Sequence, residues 1–110
     1  MKKKIYIAGK VTGESIAECT MKFGVVQKQL EAMGFEVVNP LATVGRWDIS
    51  WEDAMKLCIT ALMGCDGMVL LPDWHQSSGA TIERQLAEDL CFTICNSDKQ
   101  GLKVLERNLL

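Results

Sequence analysis

The stretch PDWHQSSGATIERQLAEDL, residues 72–90, places an acid where a helix should be apolar. From about Gly79 onward the residues follow a helical period, and one face collects Ala80, Glu83, Leu86, Ala87 and Leu90. Glu83 is therefore predicted on the inner face, one turn from the helix start. A half-buried carboxylate costs on the order of several kcal/mol unless it is paired or used. Glu83 is a candidate functional acid, with a structurally satisfied acid as the alternative.

The turn before this helix could hold an anion. Ser77, Ser78 and Gly79 offer two hydroxyls and backbone N–H groups at a helix N-terminus, a favourable place for a phosphate. Plain N-capping by one serine explains the same residues. A capping box does not, because no acid stands three positions after either serine. An anion-binding turn beside an inward acid predicts a phosphorylated or sugar-like ligand next to a nucleophile.

The elements that position these residues alternate between two patterns. Short strand-like runs occupy Lys4–Ala8, Phe35–Val38, Met68–Leu71 and Phe92–Cys95. Helical periods cover Glu14–Met33 with Gly34 as the stop, a segment after the N-cap candidate Ser50, Gly79–Leu90 and, weakly, Lys99–Leu110. Strands separated by helices predict a parallel sheet with right-handed crossovers. We expect one α/β domain over residues 1–110, a three-layer αβα flavodoxin-like or Rossmann-like fold with four or five parallel strands.

Ligands of such sheets bind beyond the carboxyl ends of the strands, and three polar loops are predicted there, residues 9–13, 39–47 and 72–79. The candidates for base or sugar contacts in these loops are Asn39, Trp47, Asp73 and Trp74, with Arg46, Asp48 and His75 as weaker polar candidates. A tryptophan can stack on a base, but it can equally cover the core or a subunit contact. Asn39 can simply end its strand, and Asp66, before Gly67, is predicted to be a turn residue.

Composition argues against several classes of function. The formal net charge of −2 and the absence of a large basic cluster predict no nucleic-acid partner. Apolar runs are too short for a membrane span or a leader peptide. The five cysteines form no CxxC pair and are expected to be reduced core thiols of a cytoplasmic protein. With a single histidine, neither a metal site nor another cofactor is expected.

Four motifs in order carry a family resemblance: IYIAGKVTG, VVNP, CDGMVLLPDW and SSGATIE. They resemble the DUF4406 family and, more broadly, the nucleoside 2-deoxyribosyltransferase superfamily, which includes the 2′-deoxynucleoside 5′-monophosphate N-glycosidases. The likeness covers residues 4 to about 90. It implies cleavage or transfer at the N-glycosidic bond of a nucleoside or nucleoside 5′-monophosphate, without a cofactor. It also implies a homo-oligomer, because such sites are often completed by a neighbouring subunit.

The resemblance implies a role for individual residues. Glu83 matches the nucleophile that attacks C1′ and forms a glycosyl-enzyme intermediate, as in retaining glycosidases. Tyr6 matches a tyrosine beside that nucleophile. Ser77 and Gly79, next to Ser78, match residues that hold the 5′-phosphate.

Two residues of the first turn also bear on binding. Gly9 matches the glycine that lets ligand approach the backbone. Lys10 stands where the family often has proline, and it adds a positive charge that would suit a phosphate.

Cys58 departs from the family pattern, which has an aspartate there to handle protons at the leaving base. A thiol does not replace a carboxylate in that task, although Asp48, Asp73 or His75 could substitute. The alternative function is therefore a nucleotide-binding or sensing module without turnover. Flavin binding is a weaker alternative, because the first turn lacks a Ser/Thr-rich phosphate loop.

Overall fold

The computed structural model describes all residues from Met1 to Leu110. The strands are β1 (Lys4–Ala8), β2 (Glu36–Val38), β3 (Gly67–Leu70) and β4 (Thr93–Asn96). The helices are α1 (Ile16–Ala32), α2 (Pro40–Val44), α3 (Trp51–Met63), α4 (Ser78–Asp89) and α5 (Lys99–Leu109), with a 3-10 turn at Trp74–Gln76. None of these helices combines the length and apolarity that crossing a membrane requires.

All four strands are parallel, in the spatial order β2-β1-β3-β4. The chain first moves outward from β1 to β2, then crosses to the other side of β1 to build β3 and β4. The switch point lies between β1 and β3, where α/β sheets of this order bind ligands. The predicted α/β fold with a parallel sheet is confirmed, with four strands in a flavodoxin-like order.

The alternation of β1 divides the interior into two layers. Ile5 and Ile7 face a core that includes Phe23 and Leu30 of α1 and Leu105 of α5. Tyr6 and Ala8 face the opposite core, which includes Cys58 and Leu62 of α3 and Ala80 and Ala87 of α4. Two helices therefore cover each face of the sheet, and Tyr6 points toward the face that carries α3 and α4.

Side-chain caps fix where the helices begin. The Ser50 Oγ accepts a hydrogen bond from the Asp53 N–H at 3.1 Å, so the predicted N-cap of α3 is confirmed. Gly34 follows α1 with a φ of +98°, a backbone conformation that glycine adopts without steric cost. Helices α1 and α3 pack on opposite faces of the sheet.

The sequence predicts a loop over residues 39–47, but the structure has the short helix α2 there. The Asn39 Oδ1 accepts the Leu41 N–H at 3.0 Å, and Pro40 follows it as the first helical residue. An Asn N-cap followed by Pro is a start signal for a helix as well as a stop signal for a strand. The short helix brings Pro40, Leu41 and Val44 beside the sheet edge.

Two expectations about buried residues are wrong. Leu90 is 54 % exposed, because α4 ends at Asp89 and Leu90 lies beyond the helical face. Cys91 is also exposed, and its φ of +59° turns the chain away from the helix toward β4. The other four cysteines are buried, and all five are free thiols.

Candidate functional site

A cavity of about 480 Å³ opens at the carboxyl end of β1. Helices α2 and α3 and the first turns of α4 form its walls. Six of the predicted site residues line it: Tyr6, Gly9, Trp47, Ser77, Gly79 and Glu83. The fold thus gathers these residues from three separated segments at the switch-point end of the sheet, as the topology requires.

Glu83 is the one buried charged residue of the chain, with 5 % of its surface exposed. It lies on the sheet-facing side of α4 with Gly79 before it and Ala87 after it. The Tyr6 hydroxyl, projecting from the buried strand β1, donates a 2.7 Å hydrogen bond to the Glu83 Oε2. Glu83 is therefore inward-facing, as its helical position predicts, and it meets Tyr6.

The environment of this pair changes its acid–base properties. Burial raises the pKa of Glu83 to about 7, although the hydrogen bond from Tyr6 opposes the rise. Burial, together with the nearby Glu83 charge, raises the pKa of Tyr6 far above its ordinary value. Tyr6 therefore stays protonated and acts as a donor, while both forms of Glu83 are populated near neutral pH. Strong perturbation in a cleft is typical of functional sites.

Cys58 completes a buried cluster with these two residues. It comes from α3, is 6 % exposed, and borders the same cavity. Its thiol lies against the Tyr6 hydroxyl, and burial raises the pKa of Cys58, while Tyr6 lowers it in part. The thiol is neutral, so it is neither a strong nucleophile nor a carboxylate substitute.

Two glycines allow the backbone to pack closely around the cavity. A Cβ at Gly9 would stand 2.5 Å from the Leu71 Cδ1, so the turn after β1 lies directly on the end of β3. A Cβ at Gly79 would stand 3.0 Å from the Met55 Sδ and 3.7 Å from the Trp51 Nε1. The absence of a side chain at Gly79 lets α3 approach the first turn of α4.

The serines before α4 behave differently from each other. The Ser77 Oγ accepts the Ala80 N–H at 3.1 Å, which is plain N-capping, and Ser77 also borders the cavity. Ser78 is exposed and lies outside the cavity lining. The N-capping alternative therefore describes Ser77 as the structure has it, at a helix end that opens into the cavity.

Two other predicted residues, Lys10 and Asp73, connect loops beside the cavity and do not line it. The Lys10 N–H donates to the Asp73 Oδ1 at 3.1 Å, and the Lys22 Nζ lies 2.6 Å from the Asp73 Oδ2. Lys22 also pairs with Glu14 at 3.0 Å. Although burial acts to raise the pKa of Asp73, the bonds from Lys22 and Lys10 hold it below its usual range. Asp73 thus ties the loops after β1 and β3 together.

Asn39 and Trp74 also lie outside the lining. The Asn39 side chain caps α2 and donates to the Gln27 Oε1 at 3.0 Å. Trp74 packs against the core on the α3–α4 face, and the Arg84 guanidinium stacks over its ring at 4.9 Å. Both side chains support the elements around the cavity.

The weaker candidates are on the surface. Arg46 borders the cavity but forms a two-pronged ion pair with Asp48, at 2.8 and 3.0 Å. His75 is exposed in the 3-10 turn. The Asp66 Oδ2 accepts the Lys4 N–H at 2.8 Å at the start of β3, so Asp66 is a structural residue at the opposite end of the sheet.

Sequence reasoning missed several lining residues. Trp51 and Met55 lie on a helical stripe of α3 whose apolar pattern is that of a packed core, and Leu41 and Val44 belong to the unpredicted α2. Trp51 is 42 % exposed, which is more than a core position would show. One feature of the sequence indicates that Trp51 lines the cavity: it directly follows Ser50, the N-cap of a helix that begins after a loop on the ligand side of the sheet.

Comparison with known proteins agrees with this architecture. The profile of DUF4406, described as a domain of unknown function, matches residues 3–96. No curated protein matches the chain. A solved structure of a 2-deoxyribosyltransferase from Bacillus psychrosaccharolyticus is similar, with 18 % identity, a TM-score of 0.61, and coverage of 84 % of this chain and 70 % of that one. The chain belongs to the DUF4406 family, and its fold is similar to that of this 2-deoxyribosyltransferase.

Proposed function

We propose that this protein cleaves the N-glycosidic bond of a nucleoside or nucleoside 5′-monophosphate, by hydrolysis or by sugar transfer, with Glu83 as the nucleophile. One observation carries the proposal: a buried glutamate, hydrogen-bonded by a tyrosine at 2.7 Å, borders a cavity of about 480 Å³. Burying this carboxylate is costly for the fold, and a role in chemistry explains why the cost is tolerated.

In the proposed reaction, the Glu83 oxygen that Tyr6 does not hold attacks C1′ of the sugar. The C1′–N bond breaks, its electron pair leaves with the base, and a glycosyl ester forms on Glu83. Water or a second base then attacks C1′ and returns the electron pair to the carboxylate. The Tyr6 hydroxyl holds one carboxylate oxygen in place and leaves the other free for the attack.

The lining residues suit separate regions of the cavity for the base, for the sugar and for its 5′ end. Trp47 and Trp51 offer flat faces on which a base can stack, and they are 50 % and 42 % exposed. Ser77 and Gly79 border the cavity at the N-terminus of α4, and a helix N-terminus would suit a 5′-phosphate. Gly9 lets the ligand approach the backbone after β1.

The remaining features of the proposal follow from the family resemblance. Ser78 and Lys10 adjoin the lining and would act at its rim. A homo-oligomer in the cytoplasm is part of the same proposal, and the exposed tryptophans leave apolar surface at the cavity mouth for a second subunit. Size-exclusion chromatography with light scattering tests this, since a monomer at all concentrations contradicts it.

A binding or sensing module without turnover is the second candidate. Cys58 favours it, because the cavity contains a neutral thiol beside Tyr6 where proton transfer to a leaving base would call for a carboxylate. Such a module would bind a nucleotide in the same cavity and release no base.

The deciding experiment is a base-release assay. Ribo- and deoxyribonucleosides and their 5′-monophosphates are incubated with wild type, with Glu83→Gln, and with the exposed control Glu106→Gln. Release by wild type and by the control but not by Glu83→Gln supports the proposal. Binding without release, seen as a rise in Tm with a nucleotide, supports the binding module. Release that survives in Glu83→Gln contradicts the role of Glu83.

A further inference from the structure

The cavity contains five side chains that carry or could carry a charge: Tyr6, Glu14, Arg46, Cys58 and Glu83. A neutral purine or pyrimidine leaves as an anion unless something protonates it, and a positioned acid contributes roughly 10²- to 10⁴-fold to such steps. Efficient cleavage of such a nucleoside therefore requires that one of these five side chains donate a proton to the departing base.

None of the five is placed to serve as that acid. Glu83 is the nucleophile of the proposed reaction, and the single proton of Tyr6 is directed at Glu83. The Glu14 carboxylate is engaged in an ion pair with Lys22 at 3.0 Å. The Arg46 guanidinium does not deprotonate. Cys58 keeps its proton, because burial raises its pKa.

The charge of the cavity lining favours a cationic ligand. Asp48 neutralises Arg46 through two hydrogen bonds, at 2.8 and 3.0 Å. The cations next to the cavity, Lys10 and Lys22, lie outside its lining, and Lys22 is shared between two carboxylates. With Glu83 ionised, negative charge prevails at the place where a ligand would lie.

The aromatic side chains add a favourable surface for a cation. The Trp51 Nε1 lies 3.7 Å from the position that a Gly79 Cβ would occupy, one helical turn before Glu83 on the same face of α4. Trp47 borders the same space. Trp faces bind cations better than other aromatic rings do.

We infer that the preferred substrates are nucleosides whose base carries a fixed positive charge, such as N-glycosides of a pyridinium ring. The inference rests on the proposed function and names the substrate class of its site. Glu83 forms a bond to C1′ as the C1′–N bond breaks, and the electron pair stays on the ring nitrogen and cancels its charge. The base leaves neutral, and no acid is needed. Water then attacks C1′, the ester electron pair returns to Glu83, and the displaced proton passes through the Glu83 carboxyl to solvent.

The test compares the nicotinamide nucleosides, ribo and 2′-deoxy, with adenosine, uridine and their 2′-deoxy forms. For each, kcat/KM is divided by the rate constant of uncatalysed hydrolysis, which removes the intrinsic reactivity of the cationic substrate. We expect the quotient to be at least about 100-fold larger for the pyridinium nucleosides, since neutral bases lack their acid here. Equal quotients, or larger ones for neutral nucleosides, overturn the inference and leave the proposed function standing. If neither class shows Glu83-dependent release, the proposed function fails as well.

A variant probes the cause of the preference. Cys58→Asp supplies a carboxyl group next to Tyr6 and should reduce the preference for the cationic class at least tenfold, by raising turnover of neutral nucleosides. Cys58→Ala, which removes the thiol without adding an acid, should keep the preference within about threefold. A preference that is unchanged in a folded Cys58→Asp, judged by circular dichroism, contradicts the missing acid as its cause.

Discussion

Replacing Glu83 by Gln should make the stability of the protein less dependent on pH. The pKa of Glu83 rises from 4.5 in an ordinary environment to about 7 in the fold, through burial. A carboxyl whose pKa is higher in the folded state contributes stability that is complete below about pH 4.5. That stability is lost as the pH rises through about 7. Wild type should therefore become less stable between mildly acidic and mildly alkaline pH, and the glutamine variant, which does not titrate, should lose less.

The magnitude follows from linkage. Each pKa unit corresponds to about 1.4 kcal/mol, so between about pH 5 and about pH 8 the unfolding free energy of wild type should fall by roughly 2–3 kcal/mol more than that of Glu83→Gln. For a chain of this length the difference corresponds to about 10 °C in Tm. Gln preserves the shape of the side chain and can still accept the Tyr6 hydrogen bond.

Urea denaturation at the two pH values measures this difference directly. The exposed Glu106→Gln substitution is the matched control and should follow wild type at both pH values. If Glu83→Gln and wild type lose stability in parallel, Glu83 is not held in a buried, proton-retaining environment. The acid–base argument for the site would then be wrong.

Two further substitutions test the neighbourhood of Glu83. In urea denaturation, Gly9→Ala should lower the free energy of unfolding by roughly 1–3 kcal/mol, since its Cβ would stand 2.5 Å from the Leu71 side chain. Gly24→Ala, which has open space in the middle of α1, should raise it by roughly 0.5–1 kcal/mol. Similar effects at both positions would contradict the close approach of Gly9 to Leu71. Tyr6→Phe should raise the pKa of Glu83 further above 7, by about one unit, because the ionised carboxyl loses its 2.7 Å donor. A carbon-13 NMR titration of the Glu83 carboxyl reads this value, and an unchanged or lower pKa would refute the role of the hydrogen bond.

The sequence predicts those parts of the fold in which a strand or helix shows a clear hydrophobic period. The helical period of α4 predicts that Glu83 lies on the inner face of that helix, and it does. The pairing of Tyr6 with Glu83 is implied only by the family resemblance, and the structure has the two side chains in a 2.7 Å hydrogen bond.

Other features could not be read from local patterns. Asp73 and Asn39 are polar residues on the ligand side of the sheet, but which partner each takes depends on segments distant in sequence, α1 in both cases. Helix α2 is five residues long, too short to show a period, so only its cap signals it. Cavity walls made of apolar residues, such as Trp51 and Met55, have the same sequence pattern as a packed core.

The central claim is that Glu83 becomes covalently attached to the sugar, and intact-protein mass spectrometry tests it most directly. A nucleoside with fluorine at the 2′ position slows both steps through its electron-withdrawing effect, and with a good leaving base the intermediate should accumulate. The account predicts a mass increase of one fluorinated sugar, found on Glu83 in the peptide that contains α4 and absent from Glu83→Gln. Release of the base without any adduct, or an adduct on another residue, would contradict it.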